Sequence, residues 1–444
     1  MTDVLILYEH RNREIENCGL LSEELSYRGY KVKIESIFSP WKYFMRPKVL
    51  IVPHLYNEDQ LIRFAKNIWL SNSKILSMQY EQVLSKGSWD SVEDLHRPSG
   101  QAKFAHHISW GESQTHRYLE AGIQKENIHE TGFISMDLLR KELAGYLKNK
   151  EELSSEFDMD FQKEWVLFIS SFALANRTKE EIAEFEKLNP LSPLFAEVTN
   201  ASYPIIIDWL KRLAVIFPNK IFIYRPHPAE KLDVILKRIE SECPNFRCIE
   251  KYTMRQWAHV VDLALNWIST SVTDLYFAKK PCFLLRPVEI PEVLDMDILN
   301  DVSQLHDFDD VVSVLNSDSA TDEMGNNPTI EFYYGKNEGR MAFLKIADIC
   351  EKMMNGEIDG YPFNYGRSRF NLANSHGLKT VIWEYLKMLL FLICNTFKIQ
   401  KVPFISAKHL RKLYRYKRDV YDIDHDITYY CKRFNPIVRK IHAI

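Results

Sequence analysis

The feature that most constrains this chain is an alternation. Short apolar runs, VLILY (4–8), KVKIESI (31–37), KVLIVPHLY (48–56), KILSMQY (74–80) and HHISWGE (106–112), are separated by helix-like segments such as LLSEELSYRG (20–29), which closes on Gly29. Strands alternating with helices are βαβ units, and such units build parallel sheets whose strands are covered on both faces. Parallel sheets carry their ligand groups just beyond the carboxyl ends of the strands. Here those ends read Glu9-His10-Arg11, Pro53-His54, Gln79-Tyr80-Glu81 and Trp110-Gly111-Glu112, one polar rim. Loops are the ordinary home of polar residues, so any one position has a bland reading; the accumulation makes Glu9, His10, Glu81 and Glu112 candidate acid–base or nucleophilic groups.

A second series follows: WVLFISSF (165–172), KIFIYRPHP (220–228), FRCIEK (246–251), DLALNWIST (262–270) and PCFLLRP (281–287). The fold class expected is therefore α/β, with two facing Rossmann-like domains on parallel sheets, spanning 1–145 and 160–358. The charged segment 141–164 reads as a bridge between them. A length of 444 residues suits two domains, and 46% hydrophobic with 26% charged residues suits a globular chain. Seven scattered cysteines without a CxxC pair indicate neither a disulfide framework nor a zinc site, which fits a reducing cytoplasm. The opening MTDVLILYEH has no basic n-region, so no secretory signal is read there.

Two motifs carry chemistry. In FIYRPHPAEK (222–231), Pro226 and Pro228 stiffen the backbone on both sides of His227, presenting the imidazole rigidly at a strand end beside Arg225. A guanidinium fork and an imidazole suit a phosphate, and a structural turn with a solvated histidine is the alternative. In NWISTSVTDLYFAKKP (266–281), a strand runs into Ser269-Thr270-Ser271 and then a helix with Asp274 in its first turn. Hydroxyls and helix N–H groups favour an anion there. Ser271 and Asp274 also fit a capping box, while Asp274 could instead hold a ribose diol. Ser170, Ser171 and Asn176, after the strand that opens the second series, are further donor-contact candidates; a plain loop is the alternative. The two DMD sequences, 158–160 and 295–297, sit in charged or loop contexts and read as surface.

YRPHP followed by W(I)STSVTDLYFAKKP resembles the nucleotide-binding half of GT-B glycosyltransferases that build bacterial surface polysaccharides. The segments 108–143 (ISWGESQTHRYLEAGIQKENIHETGFISMDLLRKEL) and 165–181 (WVLFISSFALANRTKEE) resemble the family of surface carbohydrate biosynthesis proteins. ILYEHRNREIENCGLLSEELSYRGYKVKI and VLIVPHLYN are similar to the opening of that family, and the resemblance covers about 1–290 in motif order. TGFISMD (131–137) departs from the usual Gly-Asn-Pro-Arg-like turn. The resemblance implies a transferase taking 3-deoxy-octulosonic acid (Kdo) from CMP-Kdo to a lipid-linked surface glycan such as lipopolysaccharide O-antigen or capsule. No cofactor is implied, since one donor phosphate could be neutralised by Arg225, His227 and the 269–271 turn. A CDP-polyol phosphotransferase of the teichoic-acid type and a non-catalytic scaffold of a polysaccharide assembly complex are the alternatives.

The end of the chain differs in charge. Between 377 and 418 ten Lys or Arg residues stand against the single acid Glu384, within a chain of net charge −3. The apolar stretch 381–401 contains Glu384 and Lys387, and its uncharged run, 388–397, is well short of the roughly 20 residues a spanning helix needs. The tail 377–444 therefore reads as a basic amphipathic helical segment, with 377–418 lying on an anionic membrane surface, peripheral on the inner face of the bacterial inner membrane. Nucleic acid is not an expected partner, because the rest of the chain is acidic.

Overall fold

The computed structural model describes residues 2–39, 42, 45–65, 73–91, 97–317, 325, 327–359, 382, 386, 389–390, 393 and 423–443. The chain divides into two compact units. One comprises Met1–Gln82, Glu93–Asp137 and Tyr334–Ile444, the other Val83–Val92 and Leu138–Tyr333.

The first unit is built on a six-stranded, wholly parallel sheet of β1 (Val4–Tyr8), β2 (Val32–Ser36), β3 (Val49–Val52), β4 (Lys74–Ser77), β5 (His106–Ser109) and β6 (Ile128–Glu130), in the order β2-β1-β3-β4-β5-β6. β1 and β3 are buried at every residue, which is why their sequences are apolar without alternation. Helix α1 (Arg11–Tyr27) returns from β1 and ends at Arg28, followed by Gly29 at φ +92°, a backbone state natural to glycine. The chain turns from β2 back to β3 on the other side of β1, so the strand order reverses between β1 and β3, and Glu9 and His54 lie just past these two strands.

The second unit repeats the plan with β7 (Glu164–Ile169), β8 (Lys220–Arg225), β9 (Phe246–Cys248), β10 (Leu263–Asn266), β11 (Cys282–Leu285) and β12 (Gln304–Leu305), ordered β12-β11-β10-β7-β8-β9. Its reversal falls between β7 and β10, which pair in register from Leu263 opposite Val166 to Asn266 opposite Ile169. The long helix α2 (Ser192–Ile216) lies between β7 and β8, and the short helix α3 (Val272–Phe277) follows β10. Trp165, Phe168, Tyr224, Trp257 and Trp267 form its fully buried core.

Both sheets agree with the expected α/β class; the domain limits differ. Residues 334–358 group with the first unit. There α4 (Ala342–Asn355) is tied to α1 through Arg28, whose Nη1 meets Asp348 at 2.8 Å and Glu351 at 2.9 Å. Residues 83–92 group with the second unit. The expected bridge 141–164 is an integral part of the second unit. Its helix Lys150–Phe157 starts on an Asn149/Glu152 capping box, and Glu156 is held by Lys148, Lys251 and Tyr252, which drops its pKa to about 2 despite the opposing cost of desolvation. The tail is not separate as a whole: α5 (Ile423–Ile441) packs on α1, with Phe434 and Val438 buried and Tyr430 and Phe434 against Gly19. The rest of the basic segment 377–418 lies outside the described residues apart from 382, 386, 389, 390 and 393. Of these, Ile382, Leu386, Leu389 and Ile393 are helical and 42–54% exposed. No helix among the described residues is long and apolar enough to cross a membrane.

Candidate functional site

The strand reversal of the second unit opens into a cavity of about 340 Å³. Its wall takes Ser171 from beyond β7, His227 from beyond β8, and Ile268, Ser269 and Thr270 from beyond β10. The proline-clamped imidazole and the hydroxyl-rich bend, more than 40 positions apart in the chain, thus share one space. Ser85, Asn189, Ser192 and Phe195 add polar and aromatic surface, and Leu191, Leu294 and Met296 add apolar surface.

The turn around His227 fixes the ring's chemistry. His227 O accepts the N–H of Glu230 at 2.8 Å, and the N–H of Ala229 donates to His227 Nδ1 at 3.1 Å. Nδ1 must therefore carry a lone pair, which places the ring proton of the neutral imidazole on Nε2. The side chain is accessible to solvent, yet surrounding protein atoms crowd it, and that desolvation lowers its pKa below the ordinary histidine value. Neutral His227 is thus a hydrogen-bond donor through Nε2.

The bend after β10 is organised by its own hydroxyls. Ser269 Oγ accepts the N–H of Ser271 at 3.2 Å, and Asn266 Nδ2 donates to Ser269 O at 3.0 Å. The expected capping box does not form, since Ser271 makes no side-chain cap at α3. Asp274 is buried in α3 and is not part of the cavity wall. Ser170 points behind the wall, where its Oγ lies 3.1 Å from Tyr224 Oη and donates to Glu230. Asn176 adopts φ +55° and donates through Nδ2 to Asp233 at 3.2 Å, outside the cavity wall.

Arg225 also departs from expectation. Its guanidinium donates to the carbonyl oxygens of Glu250, Lys251 and Tyr252, the last at 2.7 Å, and it does not line the cavity. Arg177 and Arg286 are likewise engaged by carbonyls, at Ala173, Ala229 and Trp267. Among the described residues the cavity wall contains no lysine or arginine. An anion bound there would meet hydroxyls and the His227 Nε2–H. The second DMD sequence is structural, with Asp295 paired to Arg286 at 3.0 Å and Asp297 accepting from Tyr333 Oη at 3.1 Å.

In the first unit the reversal gathers a second polar group. His54 Nδ1 lies 3.2 Å from Glu9 Oε2, and His10 Nε2 lies 3.9 Å from the same oxygen. His54 stacks on Tyr56 with ring centroids 5.0 Å apart. Arg13 pairs with Glu81 and, at 3.5 Å, with Glu14. Glu14, only 1% exposed, accepts the N–H of Glu9 at 2.7 Å, and burial pushes its carboxyl up to about 7 against the opposing pull of Arg13. Glu112 is exposed in the first turn of helix Glu112–Glu120, and its carboxylate pairs with no described residue. Of the four rim candidates, Glu9, His10 and Glu81 are joined through these contacts and Glu112 is not.

Sequence reasoning left out Glu14, which sits inside a helix, and Glu230, three residues past His227 within the quoted motif. It did not reach Ser85, Asn189, Ser192 and Phe195, whose stretches carry no motif. His54 and Glu9 were both visible as strand-end residues; their pairing was not.

No protein-family model matches the chain, and no curated protein matches it. Solved structures do. A variant of the wall teichoic acid polymerase TagF has a TM-score of 0.54 at 11% identity over 81% of this chain and 90% of that one. A UDP-N-acetylglucosamine 2-epimerase has a TM-score of 0.51 at 12% identity over 82% and 99%. The UDP-GlcNAc 2-epimerase from Neisseria meningitidis, bound to UDP-GlcNAc, has a TM-score of 0.50 at 12% identity over 79% and 100%. The likeness is one of fold: this chain has a two-unit, GT-B-like α/β architecture.

Proposed function

We propose that the chain is a nucleotide-sugar transferase of surface-glycan assembly, moving Kdo from CMP-Kdo to a lipid-linked glycan. The observation that carries this reading is the cavity at the β7/β10 reversal, where His227, Ser171, Ser269 and Thr270 converge with no lysine or arginine among the described residues of the wall. Hydrogen bonds from neutral donors to an anion contribute about 1.5–3 kcal/mol each. Several of them suit the single phosphate of a CMP-sugar, whereas the greater charge of a diphosphate calls for formal positive charge. In this scheme His227 Nε2–H and the Ser269-Thr270 hydroxyls stabilise the departing CMP. Phe195, Leu191 and Met296 cover the nucleoside; the Glu9–His54 pair of the first unit is the candidate acid–base group.

Transfer of a polyol phosphate from a CDP-polyol is the second reading, favoured by the fold likeness to a wall teichoic acid polymerase. Both reactions release CMP, but a CDP-polyol would bring a diphosphate to a wall that holds no lysine or arginine among the described residues. Incubation with CMP-Kdo and with CDP-glycerol, each with a lipid-linked acceptor, and quantification of released CMP separates them. CMP released from CMP-Kdo supports the first reading, CMP released from CDP-glycerol alone the second. Calorimetry showing no affinity for CMP would remove both.

The site of action in this reading is the cytoplasmic face of the membrane, where the acceptor's lipid is anchored. The exposed Ile382, Leu386, Leu389 and Ile393, spaced by four, three and four residues, support an apolar stripe beside the basic residues of 377–418.

A further inference from the structure

Behind the cavity wall lies a carboxylate that touches none of the lining hydroxyls yet holds two of the three loops that carry them. Glu230 Oε2 accepts the backbone N–H of His227 at 3.0 Å and the hydroxyl of Ser170, while Oε1 accepts the hydroxyl of Tyr224 at 2.5 Å. The backbone N–H of Glu230 returns to His227 O at 2.8 Å, so the four residues His227 to Glu230 form a turn closed twice, once through the main chain and once through the side chain. The second closure orients the His227 peptide. With that peptide fixed, Ala229 N–H reaches Nδ1 at 3.1 Å and leaves Nε2 as the protonated nitrogen.

The same carboxylate reaches across to the neighbouring strand end. Ser170 precedes the cavity residue Ser171, its N–H is bonded to Arg225 O at 3.0 Å, and its Oγ also accepts the N–H of Phe172 at 3.2 Å. One side chain therefore sets both the tautomer of the imidazole and the spacing between the His227 loop and the Ser170-Ser171 loop. We propose that Glu230 is a positioning residue for the anion-binding cavity, holding His227 as the Nε2–H tautomer at a fixed distance from Ser171 without touching the ligand. The nucleotide part of this inference rests on the function proposed above; the tautomer part stands on the turn alone.

Placing a carboxylate behind an anion site has a cost unless it is masked. Three donors and partial burial do the masking, and the loss of water raises the pKa of Glu230 above the ordinary glutamate value. The groups around it are His227 and Tyr224 on β8 and its loop, Ser170 beyond β7, Tyr203 on α2, and Cys248 and Glu250 at and beyond β9, with Glu250 pushing in the same direction. Arg177 donates to Ala229 O in the same turn.

The test uses the full chain labelled with 15N-histidine, the His227 signals being identified by their loss in H227A. In the wild type the ring nitrogens of His227 should show a single neutral tautomer protonated at Nε2. E230A should mix the two tautomers and weaken CMP binding about tenfold, the equivalent of roughly one hydrogen bond. E230Q, which keeps an acceptor for the His227 N–H, should hold the tautomer and weaken CMP by no more than about threefold. If E230A loses its native circular dichroism, Y224F and S170A each remove one donor to the carboxylate and should shift the His227 nitrogens in the same direction. An unchanged His227 signal in every variant overturns the positioning role. A shifted signal in a protein that binds no CMP even as wild type would instead leave Glu230 in place and remove the nucleotide reading.

Discussion

His54 Nδ1 sits 3.2 Å from Glu9 Oε2, joining the two strand ends that flank the reversal of the first sheet. A carboxylate in that position orients the ring, as a positioned base requires. His54→Ala should lower turnover by about 10²- to 10⁴-fold, the usual contribution of a general base, while leaving CMP affinity within about twofold. Glu9→Gln should fall in between. Steady-state rates with calorimetric CMP affinities check this; a parallel loss of CMP binding would move His54 from chemistry to structure.

His227→Ala removes the Nε2–H donor from the cavity. CMP affinity should fall about tenfold or more, with the unfolding midpoint little changed because the ring is solvent-accessible. The Thr270→Val variant should show a smaller loss of the same sign. Affinity equal to wild type in both would exclude this cavity as the phosphate site.

Glu14 links stability to pH. Its carboxyl goes from about 4.5 when unfolded to about 7 when folded, so the folded state binds the proton more tightly. That stabilisation is complete below pH 4.5 and is lost as pH rises through 7, a change of roughly 3 kcal/mol. Glu14→Gln, neutral at every pH, should match the wild type near pH 4.5 and exceed it at pH 8. Urea unfolding over that range decides; curves that stay parallel contradict the assignment.

The exposed aliphatic residues near the basic segment predict lipid binding. The combined substitution Ile382→Asp, Leu386→Asp and Leu389→Asp should abolish co-sedimentation with vesicles containing anionic lipid and leave CMP affinity in solution unchanged. Undiminished sedimentation would place the membrane contact elsewhere.

Phe434 is fully buried on α5 and packs over Gly19 of α1. Phe434→Ala should destabilise the first unit by about 3–5 kcal/mol, the usual cost of removing a buried phenyl ring. Differential scanning calorimetry should show the loss in one transition, since the second unit has its own core around Trp165 and Trp257. Equal shifts of every transition would mean the two units melt together.

The sequence showed ten of the twelve strands among the described residues, most of them because strands covered on both faces are apolar throughout, while the edge strand β2 showed by its alternation. It missed β6 and β12, which are three and two residues long and carry no pattern. His227, Ser269, Thr270 and Ser171 were legible as strand-end residues, since topology determines where strand ends gather. Arg225 was not, because a guanidinium at a strand end can face a ligand or the carbonyls of the next loop, and composition does not distinguish the two. Glu14 escaped for a related reason: a glutamate in a helix's first turn normally faces water, and only the packed fold shows that this one does not.

The pairing of α1 with α5 also bears on biosynthesis. Residues 11–27 leave the ribosome some four hundred positions ahead of the helix that covers them, and α4 arrives only slightly sooner. The second unit, nearly continuous from 138 to 333, can close while the first still lacks a side, so the part translated first matures last and its bare helix needs shielding throughout elongation.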